Sequence, residues 1–277
     1  MEIRIGFKIT FVASKRTPVI MLLYVHPDIA ASLRNPEKLQ IGTDAGGAVR
    51  IEDYSDAFGN RAARIVAPPG RLTLSYDNVI VRPDEPEPIS ADARQFAVEE
   101  LPVEALQFLL PSRYCEVDRL SDTAWKLFGQ TAPGWDRVQA ICDWVHRHVE
   151  FGYQFARPTK TAVEVYDDGK GVCRDYMHLA VTFCRCMNIP ARYATGYLGD
   201  IRVPPSNGPE DFSAFFEAFL GGQWHAFDPR HNVRRYGRTV MARGRDAVDT
   251  ALTTSFNDLP LEEFIVWTDE VSPLSAR

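Results

Sequence analysis

The hydrophobic period of this chain first changes at a segment that cannot be core. Residues 3 to 11 alternate, with Ile3, Ile5, Phe7, Ile9 and Phe11 on one side and Arg4, Lys8 and Thr10 on the other. That is the period of a half-buried strand. Further strands are expected at 19–25, 48–52, 61–67 and 71–81, punctuated by Gly46-Gly47, Phe58-Gly59-Asn60 and Pro68-Pro69-Gly70. Then Arg82-Pro83-Asp84-Glu85-Pro86-Glu87-Pro88 puts three prolines and three acids into seven residues, too stiff and polar for a packed element. The boundary of an antiparallel β domain, 1–88, is therefore placed there, with 89–277 as a second domain.

Past that boundary the period becomes helical. Leu120, Ala124, Leu127 and Phe128 form a stripe that stops at Gly129, with Ser121 as the candidate cap, and Val138, Ile141, Cys142, Val145 and Val149 form a second stripe. Cys173, Tyr176, Ala180, Phe183 and Met187 share the face of a third helix, which Ile189-Pro190 ends. Strands are expected at 191–199, 213–220, 223–228 and 263–268, with Gly221-Gly222 as a two-residue hairpin turn. Helices followed by antiparallel strands make this half, and the chain, α+β.

Composition excludes several classes. With 277 residues and 45% hydrophobic content the chain has ample core material. A net charge of −6 without a basic run argues against nucleic acid as a partner. No apolar run approaches the roughly 18–20 residues that span a bilayer, so no membrane partner is expected. The start Met1-Glu2-Ile3-Arg4-Ile5 lacks the order of a signal peptide, which sets a cytoplasmic expectation. Five cysteines, at 115, 142, 173, 184 and 186, show no framework spacing and read as reduced thiols. Cys142, His146 and His148 include one helical i,i+4 pair, but Cys142 belongs to the apolar stripe and no second ligand pair appears, so no metal is expected. No cofactor and no calcium requirement is indicated either.

Cys173 is the thiol with a special position. The first turn of a helix exposes unpaired N–H groups and a partial positive charge, which favour a thiolate and can receive an oxyanion. Gly171 just before it allows a tight entry into the helix. The other four cysteines read as small buried hydrophobes.

These residues resemble the transglutaminase-like superfamily of papain-type thiol enzymes, in its bacterial form with an N-terminal β domain. The resemblance rests on Thr161-Ala162, on Gly171-Val172-Cys173-Arg174-Asp175 with Leu179, on Ile189-Pro190-Ala191-Arg192 with Gly196-Tyr197, and on Glu217 through Phe227-Asp228-Pro229. It implies a Cys-His-Asp triad that cleaves or transfers an acyl group from a peptide or side-chain amide through a thioester. Cys173 matches the nucleophile and Asp228 the residue that orients the imidazole. Where the family carries His-Ala-Trp, this chain has Ser213-Ala214-Phe215.

A serine hydroxyl does not accept a proton near neutral pH, so Ser213 cannot replace imidazole as base. Three histidines stand as substitutes: His231 in the loop after Asp228, His225 on the partner strand, and His178 in the helix of Cys173. Strand alternation points His225 away from Asp228, and His178 lies about 140° round the helix from Cys173. His26, His146 and His148 read as surface or packing residues. Two functions remain open: a thiol peptidase, amidase or acyl transferase using Cys173, Ser213 and Asp228 on a peptide or protein substrate, or a catalytically impaired relative that binds peptide without turnover.

Overall fold

The computed structural model describes residues 1–44, 46–204 and 210–271. The first part runs β1 (Glu2–Ala13), β2 (Thr17–Met21), a single turn α1 (Pro27–Ala30), β3 (Gln40–Thr43), β4 (Glu52–Ser55), β5 (Arg61–Ala67) and β6 (Gly70–Val81). The second runs α2 (Val103–Leu106), α3 (Val117–Phe128), α4 (Trp135–His148), β7 (Glu150–Phe151), α5 (Ala162–Asp168), β8 (Lys170–Gly171), α6 (Cys173–Cys186), β9 (Ala191–Tyr197), β10 (Ser213–Leu220), β11 (Gln223–Phe227), β12 (Thr239–Gly244), β13 (Thr253–Ser255) and β14 (Leu261–Glu270). The fold is α+β, with antiparallel four-stranded sheets ordered β14-β1-β6-β3, β13-β2-β5-β4 and β11-β10-β9-β12. Among the described residues, no helix is long and apolar enough to cross a membrane.

The alternation in β1 does what its period requires. Ile3, Ile5, Phe7 and Ile9 are buried against Val19, Met21 and Ile65 of the second sheet, each burial stabilising by about 1.5–3 kcal/mol. Arg4 and Lys8 point outward to ion pairs with Asp77 and Glu263. β1 pairs with β6 along its whole length, from Glu2 opposite Val81 to Ala13 opposite Gly70.

Two expectations change at this level. No strand covers 48–51; the short strands β3 and β4 flank that stretch instead. The strand read at 263–268 does not join the second-half sheet: as β14 it lies beside β1, with Ile3 opposite Glu270, and β13 likewise pairs with β2. The β layer therefore draws strands from both ends of the chain, because the outer edge of β1 offers a full row of backbone donors and acceptors to whichever strand can reach it.

The helix α6 also differs from its reading. Instead of one buried face, every residue from Asp175 to Cys186 is buried, since α3, α4 and α5 pack on one side and β9 and β10 on the other. Two of its polar residues find partners inside: Arg185 donates to the carbonyls of Ala191, Leu110 and Arg245, and Thr182 donates to that of His178 at 2.7 Å. Phe212, just before β10, packs on Phe7, Tyr197 and Phe264, so the approach to β10 is anchored in the core of the β layer.

Candidate active site

The entry to α6 is built by backbone hydrogen bonds around Gly171. β7 and β8 pair in parallel, and the Asp175 carboxylate turns back to accept from the N–H of Val172 at 3.0 Å. A Cβ on Gly171 would lie 2.6 Å from Cβ of Asp175, so glycine is required by this close approach and not by a left-handed backbone. Asp175 is fully buried and paired with Arg174 at 3.0 Å. Cys173 follows as the first helical residue, half-buried.

The environment of the sulfur corrects one expectation. Burial pushes the Cys173 thiol above its ordinary value; the Arg230 guanidinium and the N–H groups of Ala214 and Arg174 favour the thiolate, while the Asp211 carboxylate opposes it. The helix N-terminus supplies its N–H groups as anticipated, but desolvation outweighs them in the free protein. The other four cysteines are free and buried, and burial raises each of them.

Cys173 lines a cavity of about 190 Å³ together with Tyr193, Thr195 and Ala214. Asp211 and Phe212 form part of this wall and also of a neighbouring cavity of about 40 Å³, which Tyr153, Ser213, Arg230 and His231 line. Burial raises the Asp211 carboxyl, with Arg230 acting in the opposite direction. Arg230 itself lies over the ring of Phe151, 4.0 Å from its centroid.

Asp228 sits behind this second cavity, its side chain almost wholly enclosed. One carboxylate oxygen accepts from the N–H groups of Arg230 and His231 at 3.1 and 3.2 Å. The other lies 2.9 Å from Nδ1 of His231 and 3.2 Å from Nη2 of Arg238. Burial alone would raise Asp228, yet the His231 hydrogen bond and the Arg238 charge hold it well below the usual carboxylate range. Beside an ionised acceptor, Nδ1 of His231 carries the proton, which leaves Nε2 as the acceptor.

The loop that carries His231 is clamped by one face of α4. His146 donates from Nδ1 to the carbonyls of Pro229 and Arg230, and Asn232 bonds to Asp143 at 2.8 Å and Gln139 at 3.1 Å. Asn232 has φ +51°, a left-handed position that asparagine tolerates better than most residues. His146 thus supports the loop, while His148 bonds to the carbonyl of Tyr166 and stacks on Trp144, and Cys142 is buried among helices. Among the described residues, no three potential ligands converge on a metal position.

The remaining sequence candidates separate. Ser213 begins β10 opposite Gly196, and its hydroxyl has one long contact, 3.4 Å, to the carbonyl of Ala214. His225 lies opposite Ala218, with Nε2 toward the carbonyl of Leu220 and its ring against Trp135. His178 is fully buried, stacked on Tyr114, with Nε2 accepting from the N–H of Ala247. Glu217 forms a buried ion pair with Arg192 and Arg243, tying β10 to β9 and β12. Arg230, Asp211 and Tyr153 were not singled out from sequence; only their nearness to Asp228 and Ser213 in the chain, for the first two, offered a signal.

A thiol at a helix start, packed on an antiparallel sheet whose hairpin ends in a buried aspartate, is the arrangement that the sequence comparison matches. Residues 122–229 fit the profile of the Transglutaminase-like superfamily. The chain contains a transglutaminase-like core. Over 99% of its length the protein is also similar to the crystal structure of a "putative cysteine protease" from Cytophaga hutchinsonii, with a TM-score of 0.83, 28% identity and 92% of that chain covered. An uncharacterized Mycobacterium leprae protein is 25% identical over 214 residues, 74% of this chain and 75% of its own. In the transglutaminase-like core, the profile ends one residue past Asp228, so the loop that brings His231 to that aspartate lies beyond it.

Proposed function

We propose that the protein is a thiol-dependent hydrolase or acyl transferase acting on peptide or side-chain amides, with Cys173 as nucleophile and the Asp228–His231 pair supplying the proton relay that residue 213 lacks. The observation that carries this reading is the 2.9 Å contact between His231 Nδ1 and Asp228 in a cavity sharing the Asp211–Phe212 wall with that of Cys173. Cys173 Sγ attacks the amide carbonyl carbon while His231 Nε2 takes the thiol proton. The N–H groups beside the sulfur receive the developing oxyanion. Collapse of the tetrahedral intermediate breaks the C–N bond, and the departing amine takes the proton back from His231. Water or an acceptor amine then attacks the thioester, giving the acid or a new amide and restoring the thiol. Ser213 and Asp228 remain beside this path, the first in the cavity wall and the second as the orienting carboxylate.

A second reading, peptide binding without turnover, is supported by the raised thiol of Cys173 and the serine at 213. The two separate in one experiment: incubation with an activated acyl ester, following the acyl-Cys173 adduct by mass spectrometry. Acylation followed by release, with release lost in His231→Gln, supports the enzyme. An adduct that never turns over, or a Cys173 that is never acylated, supports the binding module.

A further inference from the structure

On the face of β10 and β11 turned away from α6 there is a third, larger cavity of about 820 Å³. Register places it: Glu217 is opposite Ala226 and Phe219 opposite Trp224, so Phe215, Glu217, Trp224 and Ala226 share one face. Ala214, Phe216 and Ala218 share the other, packed with α6. The proline-rich segment 82–90 and the stretch 234–240 close the cavity from outside.

Its charges are unequal and unequally committed. Five arginines and three glutamates line it. Glu217 is engaged by Arg192 and Arg243, and Glu87 by Arg238. Arg234 spends its donors on the carbonyls of Pro86 and Glu87. Arg235 is paired with Asp200 and donates to the carbonyl of Gly199, and Arg238 is paired with Asp228 as well as Glu87. What remains is a set of single buried N–H groups without protein partners: Nε of Arg82, Nε of Arg235 and Nη1 of Arg238. These are all the buried unpartnered guanidinium nitrogens among the described residues, and every one belongs to a residue lining this cavity. The side chains of Arg235 and Arg238 are only 4% and 6% exposed. The guanidinium of Arg82 forms no hydrogen bond or ion pair among the described residues, and burial lowers its pKa.

A buried donor left unpaired is destabilising, and three on residues that line one cavity are rarely retained without an acceptor to receive them. Guanidinium N–H groups match the oxygens of carboxylates and phosphates, and Phe215, Trp224 and Val240 give the cavity apolar walls. We propose that this cavity is a binding site for a small oxyanion, carboxylate or phosphate, carried on an apolar body and held by Arg82, Arg235 and Arg238. The site lies on the opposite sheet face from Cys173 and does not depend on whether that thiol turns over.

The test is isothermal titration calorimetry of the full chain with two probes, succinate and inorganic phosphate. One equivalent of at least one probe is expected to bind. Arg82→Gln should weaken it about tenfold or more, the loss of a charge-assisted hydrogen bond pair. Arg64→Gln, on the exposed face of β5, should leave it unchanged. Arg82→Gln removes no protein hydrogen bond; should it nevertheless misfold, Ser90→Glu, which adds a negative charge at the cavity wall, should abolish binding. Preference for succinate assigns a carboxylate ligand and preference for phosphate a phosphoryl one. Absence of binding by both probes, or binding indifferent to Arg82→Gln and Ser90→Glu, overturns the proposal.

Discussion

Nδ1 of His231 lies 2.9 Å from Oδ2 of Asp228, three residues earlier in the chain. The aspartate that matches the imidazole-orienting residue of the resembled triad here holds an imidazole from its own loop. The same carboxylate is bound by Arg238, which is bound in turn by Glu87 of the proline-rich segment. Through these residues the segment expected only as a linker reaches the back of the candidate site.

That relationship predicts a division of labour. With an activated ester as substrate, His231→Gln should lower kcat/KM by about 100-fold or more, the range for loss of a general base. Adding Ser213→His to that variant should recover part of the loss. Steady-state rates measure both; an unchanged rate in His231→Gln would remove His231 from the relay.

Charge around Cys173 predicts the direction of its titration. Asp211 disfavours the thiolate, so Asp211→Asn should lower the apparent pKa of alkylation. Arg230 favours it, so Arg230→Gln should raise that pKa. Alkylation rate against pH, with the label located by mass spectrometry, reads both shifts, and the wild-type midpoint should lie above that of a free cysteine.

Acid stability has two components of the same sign. His26 is buried beside Arg243, and its pKa falls to about 4 from an ordinary 6.5. The unfolded chain therefore binds its proton first, and stability from this group declines as pH falls from about 6.5 to about 4. Asp228 is depressed, so its contribution is complete above the unfolded carboxylate value of about 3.9 and is lost as pH falls below it. Urea midpoints across this range should fall in both windows. His26→Gln should flatten the upper one and Asp228→Asn the lower.

Glu217 carries the buried charge network of the sheet. In Glu217→Gln, Arg192 and Arg243 lose their shared counter-charge, and a loss of about 3–5 kcal/mol is expected from the urea midpoint. A motif residue of the family would then owe its place to folding. A variant as stable as the wild type would contradict this.

Much of this fold is legible because local periodicity and burial agree. Ile3 to Ile9 alternate and are buried as read, and Gly221-Gly222, with φ values of +58° and +87°, forms the turn between β10 and β11. Cys173 at a helix start was readable because Gly171 and Ile189-Pro190 punctuate that helix at both ends. The strand read at 263–268 was recognisable as a strand but not as the neighbour of β1, since alternation carries no address for a partner about 260 residues away. His231 stands among the sequence candidates, but its clustering with Asp211 and Arg230 was hidden for a similar reason: two loops supply it, and loop residues have no period.

Sequence alone determined the α+β class, the position of Cys173 at a helix N-terminus, and the absence of an imidazole at residue 213. These follow from residue identity and short-range spacing. Only the tertiary structure decided that desolvation raises the Cys173 thiol, that Asp228 binds His231 and Arg238, and that three unpartnered guanidinium nitrogens belong to residues lining one cavity. Each of those depends on which groups are brought together and how much water is removed around them, and both are set by packing between elements distant in the chain.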